Sequence, residues 1–196
     1  MSDFPYRDLL EKERSVKLVL VAISVILAVT STIMSSTLST EQEILQYSSY
    51  PNLILQEIQN RGARVVVNEL YDSDKDWQQV LEQIQSGSVD WLRVAVALHP
   101  GSDAGSSEML GEAVGIALIQ SPENVLRITI PSFRLEVVCG GRQDPLPTYE
   151  EASSELERQV AAVKQMQNEE VTPMRNRCLE QLDKARTNLK RFFEIK

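Results

Sequence analysis

Residues 148–166, TYEEASSELERQVAAVKQM, and residues 172–193, TPMRNRCLEQLDKARTNLKRFF, decide the fold of this chain. In the first, Tyr149, Ala152, Leu156, Val160, Val163 and Met166 recur at steps of three and four, the spacing that puts side chains on one face of a helix. Thr148 stands three residues before Glu151, the form of a capping box. In the second, Cys178, Leu182, Ala185, Leu189 and Phe192 repeat the stripe after a break at Asn168 to Thr172 and a helix-starting Pro173. Two amphipathic helices joined by a short break bury their stripes best against each other, so an antiparallel helical hairpin is expected.

Working back from the hairpin, helical spacing continues almost everywhere from Asn52. Leu53, Leu55 and Ile58 predict a short helix that stops near Gly62, and Val65-Val66-Val67 belongs with Asn68-Glu69-Leu70-Tyr71 to a second. Trp77, Val80, Leu81 and Ile84 form the stripe of a third, and Trp91, Leu92, Val94, Ala95 and Leu98 supply a fourth; both tryptophans read as core residues. Ser86-Gly87-Ser88 carries the stop and start chemistry between them. After the turn His99-Pro100-Gly101-Ser102-Asp103, a small-residue helix runs from about Ala104 to Ile119, and its Gly111 and Gly115 would let a neighbouring helix approach closely. Ser121-Pro122-Glu123 opens another helix. Ile128-Thr129-Ile130 and Leu135-Glu136-Val137-Val138 fit short strands as well as helix, which leaves a small hairpin about Pro131 as the alternative to an all-helical domain. Arg142 to Pro147 reads as an extended connector. The unit lengths are irregular, so no fixed repeat period emerges.

Upstream lies an uncharged run, Leu18 to Thr40, with an apolar front half from Leu18 to Val29. About 20 helical residues cross a hydrocarbon core of about 30 Å, so this stretch is long enough for a transmembrane anchor. A cleaved signal is the alternative, but residues 1–17 carry four acidic and four basic residues instead of a plainly basic start, and no clear A-x-A site follows. All the Lys and Arg before Asn60 precede Leu18, which places the N-terminus in the cytoplasm and the rest of the chain outside. The expected organisation is a cytoplasmic stub (1–17), an anchor (18–40), a Ser/Thr-rich juxtamembrane spacer (41–51) and an exported helical domain (52–196), in a bacterial inner membrane with the domain in the periplasm. None of the seven asparagines lies in a glycosylation sequon, which fits that compartment.

The chain has 28 acidic and 20 basic residues among 196, a net charge of −8, all of it in the part after the anchor. Such a domain is poorly suited to nucleic acid or to anionic lipid. Outside the cytoplasm Cys139 and Cys178 can form a disulfide, and the nine-residue connector after Cys139 can reach roughly 30 Å. Two buried thiols are the alternative.

No reaction stands out. His99 with Ser102, Asp103, Ser106 and Ser107 has the residue types of a hydrolase triad, but triad members normally come from separate elements, and a turn with a helix cap accounts for the same residues. Asp72, Asp74 and Asp76 alternate as in a calcium loop, yet the sixth position is Trp77 instead of Gly and the twelfth Gln83 instead of Glu, so capping of the helix at Trp77 is the better reading. One His and two separated Cys do not make a zinc set, no phosphate-binding loop occurs, and no carboxylate pair is singled out for glycoside hydrolysis. No cofactor is expected. The basic residues Arg175, Arg177, Lys184, Arg186, Lys190 and Arg191 read as a solvated helix face, with an acidic partner as the sharper option. His99, Ser102, Asp103, Asp72, Asp74 and Asp76 remain the candidate surface site. The expected function is a non-catalytic, membrane-tethered interaction module whose partner is another envelope protein, in a specific form an immunity or inhibitor protein for an exported toxin or hydrolase. A periplasmic hydrolase using His99 and a structural subunit of an envelope complex are the alternatives.

Overall fold

The computed structural model describes residues 50–141 and 148–194. The stub, the anchor, nearly all of the spacer and the connector 142–147 lie outside the described residues. Among the described residues there is no strand, and no helix is long and apolar enough to cross a membrane.

The described residues form nine helices in order: α1 Pro51–Arg61, α2 Ala63–Asp72, α3 Asp74–Gln85, α4 Val89–Leu98, α5 Ala104–Ala117, α6 Pro122–Thr129, α7 Leu135–Val138, α8 Tyr149–Lys164 and α9 Thr172–Glu194. Short 3-10 turns at His99–Gly101 and Glu169–Val171 complete the set. The boundaries have local causes. Pro51 opens α1, and Gly62, at φ 89°, takes the left-handed backbone that separates α1 from α2. Ser73 accepts from the Asp76 N–H (3.4 Å) to start α3, and Ser88 accepts from the Trp91 N–H (3.4 Å) to start α4.

Helix α4 is apolar on nearly every side, and its Trp91, Leu92, Val94, Ala95 and Leu98 are buried because α1, α2, α3, α5 and α6 all pack on it. The register of α1 differs from expectation: Ile54 is the fully buried residue, Leu55 and Ile58 are half-buried and Leu53 is 41% exposed. With three adjacent apolar residues, spacing alone does not choose which one faces α4. Trp77 and Trp91 are core residues, as expected.

The strand alternative for 128–138 is overturned. Ile128 and Thr129 complete α6, where the Thr129 hydroxyl donates to the Val125 carbonyl (2.7 Å), a bond within the helix itself. Val125, Leu126 and Thr129 are buried on one side, a three-to-four spacing that serves a helix packed on α4 and would be split between the two faces of a strand. Residues 135–138 form the single-turn α7, which lies against α5 where glycine was expected to admit a neighbour: a Cβ on Gly111 would stand 2.5 Å from Val137 Cγ1, and one on Gly115 3.0 Å from the Val138 carbonyl oxygen.

The hairpin forms as expected. Helices α8 and α9 are packed partners, and the Arg175 guanidinium donates to the Met166 carbonyl (2.7 Å) while Arg186 pairs with Glu157 (2.8 Å), so rising numbers on one helix meet falling numbers on the other. Thr148 caps α8 by accepting from the Glu151 N–H (3.2 Å). Leu156, Val160, Val163, Met166, Cys178, Leu182 and Ala185 are buried. Phe192 departs from the stripe and is 41% exposed; at that level α8 is only beginning, and its Tyr149 meets Phe193 instead, with ring centroids 5.8 Å apart. Cys139 and Cys178, both fully buried, form a disulfide with Cα atoms 5.3 Å apart, which ties the end of α7 to α9.

Candidate functional site

The turn holding His99 is a joint between helices. Gly101 is buried against the start of α2, where a Cβ would lie 2.3 Å from the Ala63 carbonyl carbon. The half-buried His99 ring leans on Phe133, with centroids 4.3 Å apart at a 57° tilt. The Ser102 hydroxyl donates to the backbone carbonyl of His99 (2.7 Å). Asp103 and Ser106 form a reciprocal capping box: the Asp103 carboxylate accepts from the Ser106 N–H (3.2 Å) and hydroxyl (2.8 Å), and the Ser106 oxygen accepts from the Asp103 N–H (2.9 Å). These bonds, with Arg64 adding a smaller attraction, hold the Asp103 carboxyl below the usual carboxylate range. The structure thus brings His99, Ser102 and Asp103 into one turn, and the serine hydroxyl and the carboxylate are directed to backbone and cap.

Asp72 ends α2 and Asp74 begins α3, both exposed, while Asp76 is only 3% exposed in the first turn of α3. Asp74 and Asp76 sit where a helix dipole favours negative charge. No group of three or more potential ligands capable of holding a metal ion occurs among the described residues. Exposed Tyr71 stands beside this turn, its ring 5.6 Å edge-on from Trp77, whose indole N–H points to the Met109 sulfur (3.4 Å).

Elsewhere, Arg61 bridges Glu57 and Glu69, and these two carboxylates raise its already high pKa, Glu69 most. On the hairpin, Arg186 is engaged by Glu157 and Asp183. Gln159, a buried polar residue inside the apolar stripe of α8, donates from Nε2 to the Gly115 carbonyl (3.0 Å) and so binds the hairpin to α5. Sequence spacing gives no sign of it, because Gln159 looks like a flanking polar residue.

A cleft of about 250 Å³ opens between α8 and α9, walled at one side by Gly140 and Gly141. Its apolar surface comes from Ala152, Leu156, Ala185, Leu189 and Phe192, and its polar groups from Glu155, Gln159 and Asn188. Charge is unevenly spread: residues 50–141 hold twelve acidic and six basic side chains, residues 148–194 nine and eight.

Comparison with protein-family models, with curated proteins and with solved structures returns no significant match.

Proposed function

We propose that this chain is a non-catalytic protein-interaction module, tethered through residues 18–40 to the outer face of a bacterial inner membrane, whose partner is a basic envelope or exported protein. The observation that carries the reading is the two-to-one excess of carboxylates over cations in residues 50–141, on a bundle where Ser102, Asp103 and Ser106 are engaged in capping. A field of one sign steers an oppositely charged protein to its docking site and discriminates against acidic ones. Tethering raises the local concentration for a partner at the same membrane. An inhibitor or immunity protein covering the basic active site of an exported toxin or hydrolase is the specific form that best fits this combination.

The test is affinity capture from membranes with the full chain as bait, at low and at high salt. A basic protein that is retained at low salt, and lost both at high salt and with an Asp72→Lys/Asp74→Lys bait, supports the reading. Capture of no reproducible partner, or of one indifferent to salt and to charge reversal, refutes it. A His99→Ala bait that still captures the partner separates this function from a hydrolase.

A further inference from the structure

We infer that the Cys139–Cys178 bridge is installed by an external dithiol–disulfide oxidase before α7 docks, and that the docked α7 then closes it to thiol exchange. This adds a reaction to the interaction reading above and rests on that reading only for export, which brings the chain to such an oxidase. Disulfides form and persist outside the reducing cytoplasm.

Burial sets the order of events. Thiol–disulfide exchange requires one sulfur to reach another, so its rate depends on access. Both cysteines are 0% exposed, and a protein-sized oxidant cannot reach either of them in the folded domain. Cys139 directly follows α7, its N–H bonded to the Leu135 carbonyl (2.8 Å), and Cys178 sits in the second turn of α9. Helix α7 packs on both α5 and α9, with Leu135 and Val138 buried.

The two ends of the bridge are held very differently. Helix α9 has 23 residues and is pinned to its hairpin partner through Arg175 at Met166 and Arg186 at Glu157. Helix α7 has four residues, and the Val137 and Val138 N–H groups donate to the Arg134 carbonyl (3.0 and 3.2 Å), so its backbone bonds all lie within residues 134–139. So short a helix has no stability of its own and keeps its shape only while Leu135 and Val138 are packed. Local opening occurs where few contacts hold a segment. Access to the bridge therefore runs through α7, and α9 stays in place.

The chemistry balances with an oxidase that carries one disulfide. In the open chain one cysteine thiolate attacks that disulfide, forming a mixed disulfide and expelling an oxidase thiolate; the second cysteine thiolate then attacks the mixed disulfide, closing the bridge and expelling the other. Two electrons pass to the oxidase, and the two protons lost by the cysteines are regained by its thiolates, so it leaves as a dithiol. With two cysteines in the chain there is one intramolecular pairing, and no isomerisation is required. Once α7 has docked, the bridge is a permanent tie and does not act as a redox switch.

Two experiments test the order and the closure. In a bacterial host with and without its periplasmic thiol oxidase, the full chain is followed by pulse–chase, with thiols counted by a mass-tagged maleimide and folding by protease resistance. Loss of both thiols should precede resistance, and both thiols should persist without the oxidase. In lipid nanodiscs, the oxidised full chain is treated with dithiothreitol; reduction should be at least about a hundredfold slower in buffer than in denaturing urea. Val138→Ala, which loosens α7, should speed reduction in buffer about tenfold, whereas Ile54→Val, a comparable loss of buried carbon in α1, should change it less than about twofold. A protease-resistant dithiol chain that is oxidised later, equal reduction with and without urea, or equal acceleration by the two variants would overturn the inference while leaving export standing. Two persistent thiols in both hosts, with the chain oxidised in urea by glutathione disulfide still closed to dithiothreitol in buffer, would overturn export and the oxidase step and leave closure by α7 standing.

Discussion

Replacing Gly111 by Ala tests the contact through which α7 reaches the core. A Cβ at this position would stand 2.5 Å from Val137 Cγ1, whereas non-bonded carbons pack at about 3.5–4.0 Å, so the overlap is about 1 Å or more. Val137 is β-branched and half-buried in a four-residue helix, and it has little rotamer freedom with which to yield. Overpacking of this kind costs about 1–3 kcal/mol. The gain in helix propensity, about 0.5–1 kcal/mol for Gly to Ala, offsets part of it. The expected net loss is about 1 kcal/mol, a fall in melting temperature of about 2–4 °C for a domain of this size. Urea unfolding followed by far-ultraviolet circular dichroism measures the change. In a Val137→Ala background Cγ1 is gone, so Gly111→Ala should become neutral or stabilising, with a coupling energy of about 1 kcal/mol or more. Equal stabilisation by Gly111→Ala in both backgrounds would refute the packing argument.

Three further outcomes follow from single contacts. Gln159→Leu should remove the side-chain donor from the buried Gly115 carbonyl, which keeps the Leu118 N–H, and cost about 0.5–1.5 kcal/mol in the same unfolding assay. Asp103→Ala should destabilise the fold at neutral pH, and because the folded-state pKa is depressed, the difference from wild type should be present above the unfolded carboxyl value and vanish as pH falls through the lowered one; urea midpoints taken across acidic pH read this directly. Reduction of Cys139–Cys178, which closes a separation of 39 residues, should lower stability by up to about 4 kcal/mol on the chain-entropy estimate and should raise hydrogen exchange first in α7.

The hairpin was legible because its stripes are long and regular and its start carries a cap, so periodicity and end signals agree at Thr148, Leu156, Val160, Leu182 and Ala185. The disulfide was legible from two cysteines, a connector of limited reach and the placement of Cys178 on the apolar face of its helix. The close approach at Gly111 and Gly115 could be read too, because glycine at helical spacing has few other uses in a small-residue helix. Residues 128–138 could not be settled in the same way: runs of three or four apolar residues satisfy both periods, and only packing on α4 and α5 chooses helix. The choice of Ile54 over Leu53, the stacking of His99 on Phe133 and the burial of Gln159 each depend on a neighbour distant in sequence. Of the candidate surface residues, Ser102 and Asp103 had their capping role written in the turn sequence. The cleft left no local trace, since its walls come from three separate segments.

The proposed partner and the proposed compartment both depend on the helical domain lying outside the cytoplasm. A reporter active only in the periplasm, fused to the full chain after Lys196 and separately before Leu18, measures that directly. Activity in the first fusion and none in the second is the result expected from four basic residues before the apolar run and none between Leu18 and Asn60. Activity only in the second fusion would contradict the orientation, and with it the membrane-tethered, outward-facing interaction module.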